Sequence, residues 1–124
     1  MRLLLDTHVL RWWLADDETL AEEVKQLIDT EAEVFISAAS VWEISIKQAL
    51  GKLTGPPDLL DILGRSGLVE LPIRSRHAAV AGALPALHRD PFDRMLVAQA
   101  RCEGLTLLSR DPQLRRYDVP LRAV

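Results

Sequence analysis

Four short apolar runs alternate with stretches of helical periodicity along this chain, and that alternation limits what it can fold into more than any other feature. The runs are Leu3-Leu4-Leu5, Val34-Phe35-Ile36, Leu68 to Ile73, and Leu105-Thr106-Leu107-Leu108-Ser109. Apolar residues at successive positions mark strands buried on both faces, and strands separated by helices pair in parallel between two helical layers. Val9, Leu10, Trp12, Trp13 and Leu14 follow Asp6-Thr7 at helical spacing. Leu20, Val24, Leu27 and Ile28 give Asp17 to Thr30 one apolar face opposite Glu22, Glu23 and Lys25. Ser37 and Ser40 read as capping residues for a helix from Ala38 to Leu50 that Gly51 stops, and a shorter helix is expected from Asp58 to Gly64. Pro72 is tolerated only near the end of the third strand. Ser75 to Leu84 is helical by its alanines, Asp90-Pro91 supplies an N-cap and a proline at N1 for Phe92 to Glu103, and Gly104 closes that helix. Asp111-Pro112 starts a last helical turn, and Asp118 to Leu121 is the candidate fifth strand. The expectation is an α/β fold with a parallel sheet covered on both sides. Ligands of such sheets sit beyond the carboxyl ends of the strands, where the strand order reverses.

With 124 residues, 48% of them hydrophobic, the chain can bury a core without disulfides or structural metal, and no Ser/Gly/Pro-rich linker divides residues 1–124, so one domain is expected. Cys102 is the sole cysteine and no Cys/His cluster has zinc spacing. No uncharged run approaches a membrane span, and Met1-Arg2 leads straight into the first strand without a cleavable apolar segment. A cytoplasmic protein is therefore expected, with no membrane partner. Net charge is −3, split as −7 over residues 1–64 and +4 over residues 65–124. Taken whole, a negative balance argues against a nucleic-acid partner.

The carboxylates change that balance. Asp6 follows the first strand, Glu43 lies within two turns of the end of the second, Asp93 opens the helix before the fourth, and Asp111 follows the fourth. Four acids at one sheet edge make a hard, oxygen-rich site of the kind that holds Mg²⁺ or Mn²⁺, and a divalent cation relieves the mutual repulsion. Each acid taken alone also has a structural role. Asp6, Asp90 and Asp111 are acceptable N-caps, Asp93 faces a helix dipole from N3, and Ser40 to Glu43 matches a capping box. Glu43 fits this poorly, because in a helix beginning at Ala38 it is too deep to cap. His8, His77 and His88 are scattered along the sequence, no nucleophile elbow is visible, and the nucleotide-binding glycine motifs are absent. Cys102 reads first as a small core residue, and Trp12, Trp13 and Trp42 as core or interface residues rather than base-stacking platforms.

The segments Leu4-Leu5-Asp6-Thr7-His8, Ser40-Val41-Trp42-Glu43-Ile44 with Lys47 and Gly51-Lys52-Leu53, His88-Arg89-Asp90-Pro91-Phe92-Asp93-Arg94 running into Ala98-Gln99-Ala100, and Ser109-Arg110-Asp111 together resemble the bacterial PIN domains. More narrowly, they resemble the VapC-type toxins of type II toxin–antitoxin pairs. The resemblance covers nearly the whole chain, and the Asp90 to Arg94 block is its most specific piece. It implies a three-layer α/β/α sandwich with a central parallel sheet of four to five strands, and a metal-dependent endoribonuclease using Mg²⁺ or Mn²⁺. Asp6, Glu43, Asp93 and Asp111 then correspond to the family's catalytic and metal-binding acids. Asp90 becomes an accessory acid reaching the metal through water, and Thr7 and Ser109 become hydroxyl neighbours of the pocket. Ser109 stands where threonine is commoner. The implied partners are an RNA substrate, a second copy in a homodimer, and a cognate antitoxin whose C-terminal segment crosses the active-site groove. Trp12, Trp13 and Leu14 either line that groove or pack on the sheet.

Three other readings compete. A catalytically silent PIN-like module that binds RNA or protein would be favoured by loss of a pocket acid, and all four are present. A receiver-type domain phosphorylated at Asp6 would want a second acid beside it and a lysine after a late strand, where His8 and Arg110 stand instead. A DNA-cutting relative is the nearest alternative nuclease. With Asp90, Asp93 and Asp111 assigned to a metal pocket, residues 65–124 carry net +7, and Arg74, Arg76, Arg89, Arg94, Arg110, Arg115 and Arg116 become candidates for phosphate contacts.

Overall fold

The three consecutive leucines of β1 (Arg2–Leu5) lie at the centre of a five-stranded, all-parallel sheet of order β3-β2-β1-β4-β5. A computed structural model describes the whole chain, Met1–Val124. β2 (Glu33–Ser37) and β4 (Thr106–Ser109) flank β1, while β3 (Val69–Leu71) and β5 (Leu121–Ala123) form the edges. Side chains alternate across the pleat. Leu3, Leu5 and Leu108 therefore face one core, with Val9, Leu10, Val24, Ile28, Ile44 and Leu63. Leu4 and Leu107 face the other, with Leu96, Val97, Ala100 and Leu114. The first core is roofed by α1 (Thr7–Leu14), α2 (Glu22–Thr30), α3 (Ala38–Ala49) and α4 (Leu59–Arg65), the second by α5 (Ser75–Ala83), α6 (Pro91–Glu103) and a 3₁₀ turn, Pro112–Arg116. Right-handed crossovers require this split, because the chain steps one way from β1 to β3 and the other way from β3 to β5.

Several boundaries differ from the sequence reading. The helix expected from Asp17 starts at Glu22, because Asp17 Oδ1 accepts the Thr19 N–H at 2.8 Å and holds residues 17–20 in a turn. Ser37, whose hydroxyl accepts the Ala39 N–H, is the α3 cap, whereas Ser40 lies inside the helix, buried. The third strand covers only Val69–Leu71 rather than Leu68 to Ile73, and the fifth runs over Leu121–Ala123 rather than Asp118 to Leu121. Cys102 is half-buried. Trp12, Trp13 and Leu14 pack against the first core, and the indole of Trp13 donates to Asp29 at 3.0 Å. Trp12 and Leu14 also border an apolar cavity of about 220 Å³ with Ile44, Leu53 and Leu59. Of the core and interface alternatives for Trp42 the core one fails, since it is 60% exposed and meets Phe92 edge-on at 5.2 Å. No helix is long and apolar enough to cross a membrane.

Candidate metal centre

β1 and β4 are neighbours, and the chain leaves them in opposite directions, so the switch point of the sheet lies beyond Leu5 and Leu108. Asp6 and Ser109 follow there. The Asp6 amide donates to the Leu108 carbonyl at 2.9 Å, continuing the ladder by one residue and bringing the Asp6 carboxylate against Ser109. The Ser109 hydroxyl donates to Asp6 Oδ2 and accepts the Asp111 N–H at 3.0 Å. Asp6 occupies the N-cap position of α1 without closing a side-chain cap bond, and Oδ1, in a residue only 3% exposed, has no partner. Burial pushes its carboxyl up, opposed by the Ser109 bond and the nearby His8, with the Glu43 charge adding a smaller upward push.

The other acids converge from the two ends of the Pro85–Pro112 stretch. Asp90 caps α6, its Oδ1 accepting the Phe92 and Asp93 amides at 2.8 and 3.3 Å. That cap sets the first turn and turns Asp93 toward β1. The Asp93 carboxyl is pushed up to about 7 by burial and by the charges of Asp6 and Asp90, against a hydrogen bond with His88. Asp111 divides its two oxygens: Oδ1 caps the 3₁₀ turn through the Gln113 N–H at 2.9 Å, and Oδ2 lies 3.5 Å from His88 Nε2. Asp6, His8, Trp12, Asp93, Arg110 and Asp111 line one cavity of about 240 Å³.

Glu43 approaches from α3 and does not line that cavity. It is 5% exposed, with Oε2 paired to Lys47 Nζ at 2.8 Å and Oε1 without a partner. Lys47 is the companion its burial demands. The Thr7 hydroxyl donates to the Ser40 hydroxyl at 2.9 Å, clasping α1 to α3 and bringing the Glu43 face beside Asp6; Thr7 does not point its proton at the cavity.

The histidines correct the sequence reading, because His88 is not a stray residue. Its Nε2 lies 2.7 Å from Asp93 Oδ2, and with Asp93 and Asp111 it forms a group whose candidate ligand atoms all lie within 4.8 Å of one another. His8 Nδ1 is 4.0 Å from Asp6 Oδ1. The signal was present in the block His88 to Asp93, but only a folded Pro-interrupted loop places its ends face to face. Arg94 is corrected too. Its guanidinium donates to the carbonyls of Ala81, Leu84 and Pro85, each at 2.9 Å, and is not free for phosphate. Arg110 lies over the Trp12 ring at 4.7 Å and donates to the Thr19 and Val124 carbonyls, so it forms the rim of the cavity without neutralising the acids.

The donor set fits a hard divalent cation. Two buried carboxylate oxygens, on Asp6 and Glu43, lack any partner, and such atoms are rare unless something is bound. Asp93 and Asp111 supply further oxygens, and no thiolate is near.

The PIN domain family matches residues 3–120. Ribonuclease VapC22 of Mycobacterium tuberculosis is 31% identical over 126 residues, covering 95% of this chain and 93% of that protein. Among solved structures, VapBC2 from Rickettsia felis bound to a DNA fragment from their promoter is similar with a TM-score of 0.75 at 16% identity, over 99% of this chain and 98% of that one. DNA-bound VapBC from Salmonella typhimurium gives 0.73 at 17%, over 100% and 97%. FitAcB from Neisseria gonorrhoeae gives 0.65 at 21%, over 96% and 95%. At these identities the structures share the fold.

Proposed function

This chain belongs to the PIN domain family, and from that premise we propose that it is the toxin of a VapBC-type toxin–antitoxin pair, an endoribonuclease dependent on Mg²⁺ or Mn²⁺. The observation that carries the reading is that Asp6, whose buried Oδ1 has no hydrogen-bond partner, lines one cavity with Asp93 and Asp111. Residues 1–124 act as one catalytic unit. Asp6, Glu43, Asp93 and Asp111 would hold the cation, with Asp90 reaching it through water because one of its oxygens is committed to the α6 cap. When bound, a divalent cation polarises the scissile phosphate and lowers the pKa of a water near it. Ser109 fixes the orientation of Asp6 through Oδ2, while the buried Oδ1 has no hydrogen-bond partner and lies 4.0 Å from His8 Nδ1. The cap bonds of Asp90 and Asp111, the His88 bond of Asp93 and the Lys47 bond of Glu43 restrain the remaining acids, which limits the reorganisation needed when RNA arrives. In-line attack by water leaves a 5′-phosphate and a 3′-hydroxyl.

The antitoxin partner is supported by the neighbouring VapBC complexes and by the apolar cavity beside Trp12 and Leu14, which suits an apolar segment approaching the acidic site. A homodimer is supported by the exposed Trp42 of α3, which meets the half-buried Phe92 of α6 edge-on. The cytoplasm, where RNA and antitoxin meet, is its place of action.

The test is Asp6→Asn. Metal-dependent cleavage of single-stranded RNA should disappear while circular dichroism and the melting transition persist, and DNA of the same sequence should not be cut by the unaltered protein. Cleavage surviving in a clean Asp6→Asn preparation would remove the assignment.

A further inference from the structure

His88 stands between two of the acids and has no part in the mechanism above. Its Nε2 lies 2.7 Å from Asp93 Oδ2 and 3.5 Å from Asp111 Oδ2. Neighbouring ligands of an octahedral ion bound at about 2.1 Å are separated by about 3 Å, so these spacings are close to octahedron edges. The imidazole is largely covered, its side chain 18% exposed, and the backbone that carries it is fixed from two sides. The His88 N–H donates to the Tyr117 hydroxyl at 2.9 Å, and the His88 carbonyl accepts from Arg94 Nη1 at 3.4 Å. A histidine serving only as the ion-pair partner of Asp93 would not need both restraints or the second carboxylate. Independently, Asp6 lines the adjoining cavity and carries a buried oxygen, Oδ1, that no hydrogen bond satisfies.

We propose that His88 is a nitrogen ligand of the cation held in this pocket, and that the site takes Mn²⁺ in preference to Mg²⁺; the inference rests on the metal-dependent reading given above. Nε2 and Oδ2, 2.7 Å apart, share one hydrogen bond, and both atoms would have to give it up to hold a cation. An imidazole in the donor set disfavours Mg²⁺, whose ligands are almost all oxygens, relative to first-row transition ions.

The experiment is pulsed electron–nuclear double resonance on the purified protein with one equivalent of Mn²⁺, beside calorimetric binding of Mn²⁺ and Mg²⁺. A directly coordinated histidine nitrogen should appear in the unaltered protein and in His8→Ala, whose imidazole is the one that lines the cavity, and should vanish in His88→Ala. His88→Ala should also bind Mn²⁺ about ten- to a hundredfold more weakly, with a smaller loss for Mg²⁺. Mn²⁺ bound in an Asp6-dependent manner without nitrogen coupling, or with coupling that survives His88→Ala or vanishes in His8→Ala, would overturn the assignment of His88 and leave the acidic site intact. Mn²⁺ binding indifferent to Asp6→Asn would overturn the site as well. If His88→Ala fails to fold, His8→Ala carries the assignment, because nitrogen coupling retained without the His8 imidazole leaves His88 as its source and coupling lost with it overturns the proposal.

Discussion

Asp93 keeps a proton that an aspartate in water releases near its ordinary value of 3.8, because burial and the charges of Asp6 and Asp90 raise it to about 7. Through that window the folded protein binds a proton that the unfolded chain has lost, so stability must fall as pH rises from about 4 toward 7. Asp6, also raised, acts in the same direction. The carboxyls held low, Asp17 and Glu103, act in the opposite direction, but their effect is complete once pH exceeds the ordinary carboxylate range. Chelator-treated protein is therefore expected to melt at a lower temperature at pH 7 than at pH 5, and Asp93→Asn to flatten that slope. A divalent cation competes with the same proton, so the stabilisation it gives should grow with pH over the interval. Melting curves at four pH values with and without Mn²⁺ check both, and a metal effect independent of pH would place the cation away from Asp93.

The α5–α6 connection shows how one side chain organises an element boundary. Arg94 reaches back from the first turn of α6 to the carbonyls of Ala81, Leu84, Pro85 and His88 and to the Tyr117 hydroxyl. Ala81 belongs to the last turn of α5, and Leu84, Pro85 and His88 lie in the chain reversal beyond it, where the Leu84 and Leu87 amides reach only the Ala81 and Pro85 carbonyls. Arg94→Ala should destabilise the protein by about 2 kcal/mol in urea unfolding, and Arg94→Lys should recover little of it, because a single ammonium cannot span acceptors spread around a planar fork. In sequence, Arg94 looks like any other arginine of the basic half; its role depends on where loop carbonyls point, which pattern alone does not encode. His88 was missed for the same reason, its partners being Asp93 across a proline-broken turn and Asp111 on another element. What was legible followed from local rules: the doubly buried β1, the Asp90-Pro91 cap, Gly104 in the left-handed region at φ 66, and the acids that immediately follow β1 and β4. Glu43 was legible as an anomaly, but the pairing with Lys47 that relieves it required the helix to be in place.

Charge over the whole molecule sorts once the structure assigns each arginine. Arg94 and Arg110 are committed to carbonyls, and Arg116 donates to the Leu87 carbonyl at 3.2 Å. Arg74 and Arg76 act on Glu103, at the opposite end of α6 from Asp93, about 15 Å of helix away. Arg89, exposed beside His88, and Arg115, exposed on the 3₁₀ turn after Asp111, remain close to the pocket with no bond to hold them. A negative total charge is then no obstacle to RNA. On the proposed function the acidic charges at the site would be met by a cation, and the basic charges available to RNA would be the few on the two loops around it. Binding of single-stranded RNA to the cleavage-deficient Asp6→Asn protein, followed by fluorescence anisotropy across a salt series, should weaken in Arg89→Ala and in Arg115→Ala. The slope of log K against log salt should fall by about 0.7 for each contact removed. Arg74→Ala and Arg76→Ala should leave both affinity and slope nearly unchanged. If the far pair instead carried the slope, RNA would have to track along α5 rather than enter over the carboxyl edge of the sheet, and the basic half of the chain would be a binding surface separate from the acidic pocket.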